Sequence, residues 1–157
     1  MKKLGLLLLA CFPLLVFGQS KVMRNLADEF PDGRVLMFYH SSLNMLNLDD
    51  NPGFTDMIKD IEKIKVLIID KGSQEFDEST ISTVKSDLNN YDFEELMVLK
   101  SKEYDIGVYI IEDDDDIEGF FFLMDEEDSF IAVDLVGSMP VGDIGMLIEK
   151  MKEANDF

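Results

Sequence analysis

Residues 104–136 read YDIGVYIIEDDDDIEGFFFLMDEEDSFIAVDLV and constrain the fold more than any other part of the chain. Apolar stretches at 104–111, 119–124 and 130–136 alternate with short acidic turns, and a fourth candidate strand precedes them at 93–101. Short apolar segments joined by polar turns are typical of an antiparallel meander. The pattern therefore predicts four consecutive antiparallel strands in the C-terminal half.

The N-terminal half carries a strand–helix–strand pattern. Residues 34–40 and 65–70 are apolar segments of strand length. Residues 54–64 lie between them and carry one apolar stripe at helical spacing. The members of this stripe are Phe54, Met57, Ile58, Ile61 and Ile64. A strand, a helix and a strand joined by short loops predict a βαβ crossover, in which the two strands are parallel.

Three further helix patterns lie at 21–30, 79–90 and 141–154, and residues 41–50 are a candidate for a short helix. Together with the strands they predict an α+β fold. We expect a mixed, mostly antiparallel sheet, built from the N-terminal βαβ unit and the four-strand meander, with helices packed on one face. Residues 19–157 are expected to form this single domain, since a segment of that length fits one hydrophobic core.

The first eighteen residues have the layout of a secretory signal peptide. A cationic MKK start is followed by the apolar residues 4–17, and Gly18 is the small residue expected before a cleavage site. The apolar segment has about 14 residues, whereas a membrane-spanning helix needs roughly 20. We therefore expect an exported protein of the periplasm or outer envelope, with residues 1–18 removed and no membrane span.

Cys11, the only cysteine, indicates a lipid anchor as an alternative to soluble export. Leu8-Leu9-Ala10-Cys11 fits the short pattern that precedes a lipid-modified cysteine in bacterial lipoproteins. Residues 12–17 continue the apolar run, although a polar linker usually follows such a cysteine. Soluble export is therefore the main expectation, and a lipid anchor at Cys11 is the alternative. A soluble mature form would have no thiol and no disulfide.

The chain is strongly acidic, with 14 basic and 33 acidic residues and a formal net charge of −19. A field of this sign repels nucleic-acid phosphates, so no nucleic-acid partner is expected. The chain lacks the Gly-rich nucleotide motifs and the Gly-x-Ser-x-Gly elbow. Its one histidine, His40, cannot supply a two-histidine zinc site. We therefore predict no cofactor and name no catalytic residue.

Two acidic runs, 113–116 and 125–128, raise the question of calcium, which prefers carboxylate oxygens. Asp114, Asp116 and Glu118 have the spacing of the first three ligands of an EF-hand. That register places an apolar strand where the loop should continue, and no helix pattern flanks it. The three residues are therefore weak candidates for a cation site, and solvated hairpin turns are the main expectation.

Phe120, Phe121 and Phe122 must present rings to both faces of the sheet, because side chains alternate along a strand. If helices cover one face only, one or two of these rings lie on the open face, with Tyr109 and either Val98 or Met97 as neighbours. An exposed apolar patch indicates a partner, a ligand or a dimer. The candidate interaction surface for a protein partner or a second copy of the chain is formed by Phe120, Phe121, Phe122 and Tyr109.

Part of the chain also resembles a known family. The matching segments are Tyr91–Val98, Phe121–Phe130, Asp134–Ser138 and Val141–Ile144. Glu-Glu-Leu-Met in the first and Asp-Glu-Glu-Asp in the second are the most specific parts. These segments are similar to the domain-of-unknown-function family 4252, small exported proteins of Gram-negative bacteria, and the likeness covers most of residues 21–150. The resemblance implies export and an α+β fold, but no activity, cofactor or catalytic residue.

The leading functional hypothesis is an exported, non-enzymatic binding or interaction module of the cell envelope. It rests on the leader and on the candidate aromatic surface. Two other classes stay open. A carboxylate-based enzyme would need at least two acids converging in a pocket with shifted pKa values. A calcium-stabilised envelope protein would need one of the acidic turns to bind the ion.

Overall fold

A computed structural model describes residues 20–47, 49–72 and 75–155. The leader lies outside the described residues, so the signal peptide, the cleavage after Gly18 and the lipid anchor at Cys11 stay predictions. The strands are β1 (Arg34–Tyr39), β2 (Ile61–Asp70), β3 (Glu94–Lys100), β4 (Tyr104–Asp113), β5 (Asp116–Glu126) and β6 (Ser129–Gly137). The α-helices are α1 (Lys21–Glu29), α2 (His40–Leu43), α3 (Pro52–Ile58), α4 (Glu78–Asn90) and α5 (Ile144–Asn155).

These strands form one sheet in the order β1-β2-β6-β5-β4-β3. Its larger part is the predicted meander, because β3, β4, β5 and β6 pair antiparallel in sequence order. Phe121, at the centre of β5, lies between Tyr109 of β4 and Asp134 of β6. The α+β class and the four-strand meander are thus confirmed.

The predicted βαβ unit and the mixed sheet are wrong. β1 pairs antiparallel with β2, and β2 pairs antiparallel with β6, so every strand pair in the described part of the chain is antiparallel. The reason is that α3 ends at Ile58 and β2 already begins at Ile61. The 7 residues of α3 rise about 10 Å. That is too short to return the chain along the 10 residues of β2, which span about 33 Å.

A β-bulge explains the misleading helical spacing before β2. Ile64, Val66 and Ile68 alternate along this strand toward one core. The register against β6 shifts between Ile61 and Lys63, which indicates one extra residue in β2. Ile61 therefore lies three positions from Ile64, yet both side chains belong to the same core. The last two members of the predicted helical stripe are in fact the start of a bulged strand.

Helices cover both faces of the sheet, so the expectation of a single covered face is wrong. On one face α3 and α5 pack against Phe120 and Phe122, and on the other α1 and α4 pack against Phe121. The cause lies in the central strands, because residues 120–124 are apolar at consecutive positions and alternation sends them to both faces. Burying both faces requires a helical layer on each. The result is a three-layer structure with two hydrophobic cores.

Asp134 ties the N-terminal segment to the middle of the sheet. The residue is 3% exposed, and its Oδ2 accepts a hydrogen bond from the backbone N–H of Ser20 at 2.7 Å. Burial raises the pKa of the Asp134 carboxyl, while the hydrogen bonds from Ser20 and the charges of Lys63 and Lys65 oppose the rise. Ser20 also caps α1, since its hydroxyl oxygen accepts the N–H of Met23 at 3.2 Å. A buried contact therefore positions the first turn of α1.

Candidate interaction site on the edge strands

The central aromatic run is part of the core. Phe120, Phe121 and Phe122 are at most 2% exposed, and Tyr109 is 4% exposed. Phe121 lies in the core formed with α1 and α4, where its ring meets that of Phe93 edge to face at 5.8 Å. The interaction surface predicted at Phe120, Phe121, Phe122 and Tyr109 is therefore wrong. The second helical layer covers the face that was expected to be open.

Exposed apolar side chains lie instead on β3, at one edge of the sheet. Every residue of β3 is exposed. Its four apolar residues, Leu96, Met97, Val98 and Leu99, are 38% to 45% exposed. Within the described sheet β4 is the one neighbour of β3, so the outer side of β3 presents unpaired backbone N–H and C=O groups.

The opposite edge, β1, has a similar composition. Val35, Leu36, Met37 and Tyr39 are 40% to 57% exposed. Phe38 differs from them, because it packs against the core on the α3/α5 side of the sheet. Both sheet edges therefore expose apolar side chains, but β1 is anchored to a core whereas all residues of β3 are exposed.

β3 is apolar on both of its faces. Met97 pairs with Val108, whose side chain lies in the core on the α3/α5 side. Val98 pairs with Gly107 on the other side. The Tyr109 ring lies over this glycine, so that a Cβ there would be 2.9 Å from the ring. β4 thus packs against the inner edge of β3, whereas the β3 side chains stay exposed on both faces of the sheet.

Charged side chains bracket the apolar centre of β3. Glu94 and Glu95 begin the strand and Lys100 ends it. The register against β4 shifts after Glu95, so a bulge separates the acidic start from the apolar stretch. The phenol O–H of Tyr109 donates to Glu95 Oε2 at 3.4 Å. Burial raises the pKa of Tyr109 to about 12, and the charge of Glu95 and this hydrogen bond add to the effect.

Tyr109 is expected to make the fold sensitive to alkali. Its pKa is about 12 in the folded chain and about 10 in an unfolded one. Its contribution to stability is therefore fully present below about pH 10 and is lost as the pH rises through about 12. Tyr109→Phe should reduce the loss of stability over this range, as measured by urea unfolding at successive pH values. An unchanged pH dependence in Tyr109→Phe would show that the phenol does not titrate in this way.

Residues 113–116 form a tight hairpin turn. Asp113 pairs with Asp116, and Asp114 and Asp115 between them have φ angles of 49° and 70°. Two consecutive left-handed residues are the pattern of a type I′ turn, and aspartate tolerates this conformation better than most residues. This acidic run therefore reverses the chain between β4 and β5, with its side chains in solvent.

The three weak cation candidates do not share a binding loop. Asp114 lies in the turn, whereas Asp116 and Glu118 lie in β5, and all three are exposed. Among the residues that the structure describes, no group of three or more His, Cys, Asp or Glu side chains is placed to hold a metal ion. The calcium hypothesis stays a prediction.

The second acidic run, residues 125–128, comprises the last two residues of β5 and the turn that leads to β6. Lys71 Nζ contacts the carboxylate of Asp125 and donates to the carbonyl oxygen of Glu126 at 2.5 Å. The backbone N–H of Lys71 donates to the carbonyl oxygen of Asp128 at 3.0 Å. Part of the acidity of this run therefore has a local structural role, since it holds the end of β2 against the turn.

A carboxylate-based active site would require two acids with shifted pKa values close together. Within the described ranges, Asp134 is the only buried carboxylate, and the charged groups that act on it are Lys63 and Lys65. His40 Nδ1–H donates to the carbonyl oxygen of Ile61 at 2.9 Å. Asp134 and His40 thus both hold backbone groups in place.

The three layers and the exposed edges define an α+β protein built around one antiparallel sheet with two open, apolar edges. Residues 33–147 match the model of a family described as a domain of unknown function (DUF4252), and the chain therefore belongs to this family. The resemblance indicated by the sequence is thus confirmed. No curated protein and no solved structure shows a significant match. In the described part of the chain, none of the helices is both long and apolar enough to pass through a membrane.

Sequence patterns did not indicate the edge strands as a site. Val35–Tyr39 is apolar throughout, which is typical of a central strand, and the centre of Glu94–Lys100 is similar. Nothing in their composition shows that these strands lie at the edges. One signal was available, because a meander paired in sequence order leaves its first strand, β3, with a single neighbour unless another element adds to it.

Proposed function

We propose that this protein is an exported, non-enzymatic binding module of the bacterial cell envelope that engages another polypeptide through the open edge of β3. The observation that carries the proposal is the exposure of the four apolar residues 96–99 on an unpaired strand edge. The secretory layout of residues 1–18 supports a location in the envelope.

β3 lacks most of the features that protect an edge strand in other proteins. Edge strands are usually very short, carry a proline, a central charge or a bulge, or are covered by a loop. β3 has 7 residues, no proline and charges only at its ends, and its one bulge lies near its start, after Glu95. An edge of this kind can add a strand from another chain, which supplies backbone hydrogen bonds as well as apolar contacts.

β3 supports binding better than β1 does, because its side chains are open on both faces of the sheet. Phe38 of β1 already packs against a core, whereas every residue of β3 is exposed. An added strand would therefore bury apolar side chains above and below the sheet plane. Burial of apolar surface is the main favourable contribution to most protein association.

A photo-crosslinking side chain placed at position 98 tests the proposal. The full chain with its leader is expressed in a Gram-negative host, and the same side chain at Lys85, exposed on α4, is the matched control. We expect a crosslinked protein product at position 98 and none at position 85, because β3 is the engaged surface. No product at position 98, or equal yields at both positions, would contradict binding through β3.

The same cells also report the location of the protein. We expect the chain in the envelope fractions, and its intact mass should correspond to an N-terminus at Gln19. A lipid-modified N-terminus at Cys11 would instead show that the chain is held in the envelope by a lipid anchor. A cytoplasmic chain that retains residues 1–18 would contradict the proposed location.

A further inference from the structure

We infer that the strand added at β3 comes from a different protein and is a basic segment, in which three apolar residues are followed by two adjacent lysines or arginines. The inference rests on the proposed function, since it names the partner of the same edge. It follows from the way the bulge after Glu95 distributes charged and apolar side chains over the two faces of the sheet.

The register against β4 assigns each residue of β3 to a face. The residues that pair with members of the α3/α5 core are Glu94, Met97 and Leu99. The residues on the other face are Glu95, Val98 and Lys100, since Glu95 lies opposite Tyr109 of the α1/α4 core and side chains alternate along a strand. Leu96 is the extra residue of the bulge and has no partner in β4. Each face of β3 therefore has a carboxylate at its start and an apolar centre.

The two carboxylates at the start of β3 have no cation beside them. Glu94 and Glu95 lie opposite an isoleucine and a tyrosine of β4. Among the described residues, neither carboxylate has a lysine or an arginine in ion-pair contact. Lys100, by contrast, pairs with Asp105 of β4. The unmatched charge of this edge is therefore negative and lies at one end of the strand.

The register of an added strand gives the order of the partner's residues. Every strand pair in the described sheet is antiparallel, and antiparallel pairing is slightly more stable than parallel pairing. An antiparallel partner that continues the spacing of β4 meets, in order, Lys100, Leu99, Val98, Met97, Glu95 and Glu94. Apolar pairs and pairs of opposite charge stabilise neighbouring strands. The matching segment is thus one polar residue, three apolar residues and two adjacent cations.

The charge of the whole chain favours a basic partner over a second copy. The formal net charge is −19, and a field of this sign attracts a basic segment and repels another copy of the chain. Each edge strand of this chain contains one cation, Arg34 in β1 and Lys100 in β3. The edge strands of a second copy therefore cannot place two adjacent cations opposite Glu94 and Glu95.

Two fluorescently labelled peptides test the inference on the naturally processed protein. The basic peptide is Thr-Val-Ile-Val-Lys-Lys-Thr, and the acidic peptide, Thr-Val-Ile-Val-Glu-Glu-Thr, differs from it only at the two charged positions. We expect the dissociation constant of the acidic peptide, measured by fluorescence anisotropy, to be about tenfold or more above that of the basic one, because two cross-strand contacts change from attraction to repulsion. Higher ionic strength should reduce the difference, since salt screens exposed charges.

Glu94→Lys reverses the charge of one of the two contacts. This variant should bind the basic peptide about fivefold more weakly than the wild type does and the acidic peptide more tightly. The opposite responses separate charge pairing from misfolding, which would weaken both peptides. Asp32→Lys is the matched control, because Asp32 is exposed in the turn before β1 and its replacement changes the net charge equally. It should change the binding of either peptide less than about twofold.

Equal binding of the two peptides would overturn the inference, and so would failure of the basic peptide to bind or equal responses to Glu94→Lys and Asp32→Lys. The crosslink at position 98 separates this failure from failure of the proposed function. Position 98 faces the middle apolar residue of the partner, so cations should follow the crosslinked residue at the second and third positions after it. A product with other residues there, or with a second copy of the chain, overturns the inference but leaves binding through β3 intact. No product at position 98 removes both.

Discussion

Replacing Phe121 with alanine is expected to lower the free energy of unfolding by about 3–5 kcal/mol, because the ring is fully buried and its removal leaves a cavity. The ring lies in the core beneath α1 and α4 and meets that of Phe93 at 5.8 Å. A loss of this size is a large part of the roughly 5–15 kcal/mol that stabilises a typical domain. The chain has no tryptophan, so far-UV circular dichroism in urea is the suitable measurement.

Val35→Ala is the matched control for this change. Val35 lies on the same sheet, at the β1 edge, and is 48% exposed. Its replacement is expected to change the free energy of unfolding by less than about 1 kcal/mol. If Phe121→Ala cost no more than Val35→Ala, the helical layer of α1 and α4 would not cover Phe121. The aromatic run would then be available as a surface after all.

Gly137→Ala is expected to destabilise the protein by about 2–4 kcal/mol, because this position combines a left-handed backbone with close backbone contacts. Gly137 has a φ of 116°. A Cβ there would lie 2.3 Å from the carbonyl oxygen of Asp60 and 2.9 Å from Cα of Ile61. The contact lies where the end of β6 meets the bulged start of β2, so relief would require the two strands to separate.

Gly142→Ala introduces the same methyl group at an open position. Apart from Gly142 itself and its two neighbours in the chain, no heavy atom lies within 4 Å of a Cβ built on Gly142, which belongs to the 3-10 helix Val141–Asp143. Its replacement is expected to change the free energy of unfolding by no more than about 0.5 kcal/mol. Equal small effects at Gly137 and Gly142 would refute the close approach of β2 and β6. Both variants are compared with the wild type by urea unfolding.

The C-terminal half of the fold is largely predictable from its residues. Each meander strand pairs with the next strand in the sequence, and short polar turns mark the joints. The observed bounds of β4 and β5 extend beyond the predicted ones, because the turn at 113–116 is tighter than its four aspartates suggest. The left-handed φ angles of Asp114 and Asp115 account for that turn.

The N-terminal half is less predictable, because one spacing fits two structures. Ile61 and Ile64 continue the stripe of the preceding helix, and they also fit a strand with a single bulge. The choice between them determines the length of α3 and with it the direction of β2. The strand is stabilised by hydrogen bonds and packing with β6, and the residues of β6 lie far along the chain from β2.

The candidate site, too, was only partly predictable from the sequence. Alternation along β5 correctly sends Phe120 and Phe121 to opposite faces. Whether each face is open depends on where α1 and α4 pack, and local sequence does not specify this. The exposed apolar residues of β3 were therefore outside the predicted surface, although Met97 and Val98 belong to the same meander.

The residues of this chain by themselves determined the α+β class, the meander and membership of the DUF4252 family. Those properties depend on local alternation, on turn residues and on short segments that can be compared directly. Only tertiary packing determined the direction of β2, the cover on both faces and the two open edges. The physical reason is that an apolar residue has the same local preference for a strand at the centre or at the edge of a sheet. Its exposure is decided by partners distant in sequence, as when β2 pairs with β6 and leaves β1 and β3 outermost.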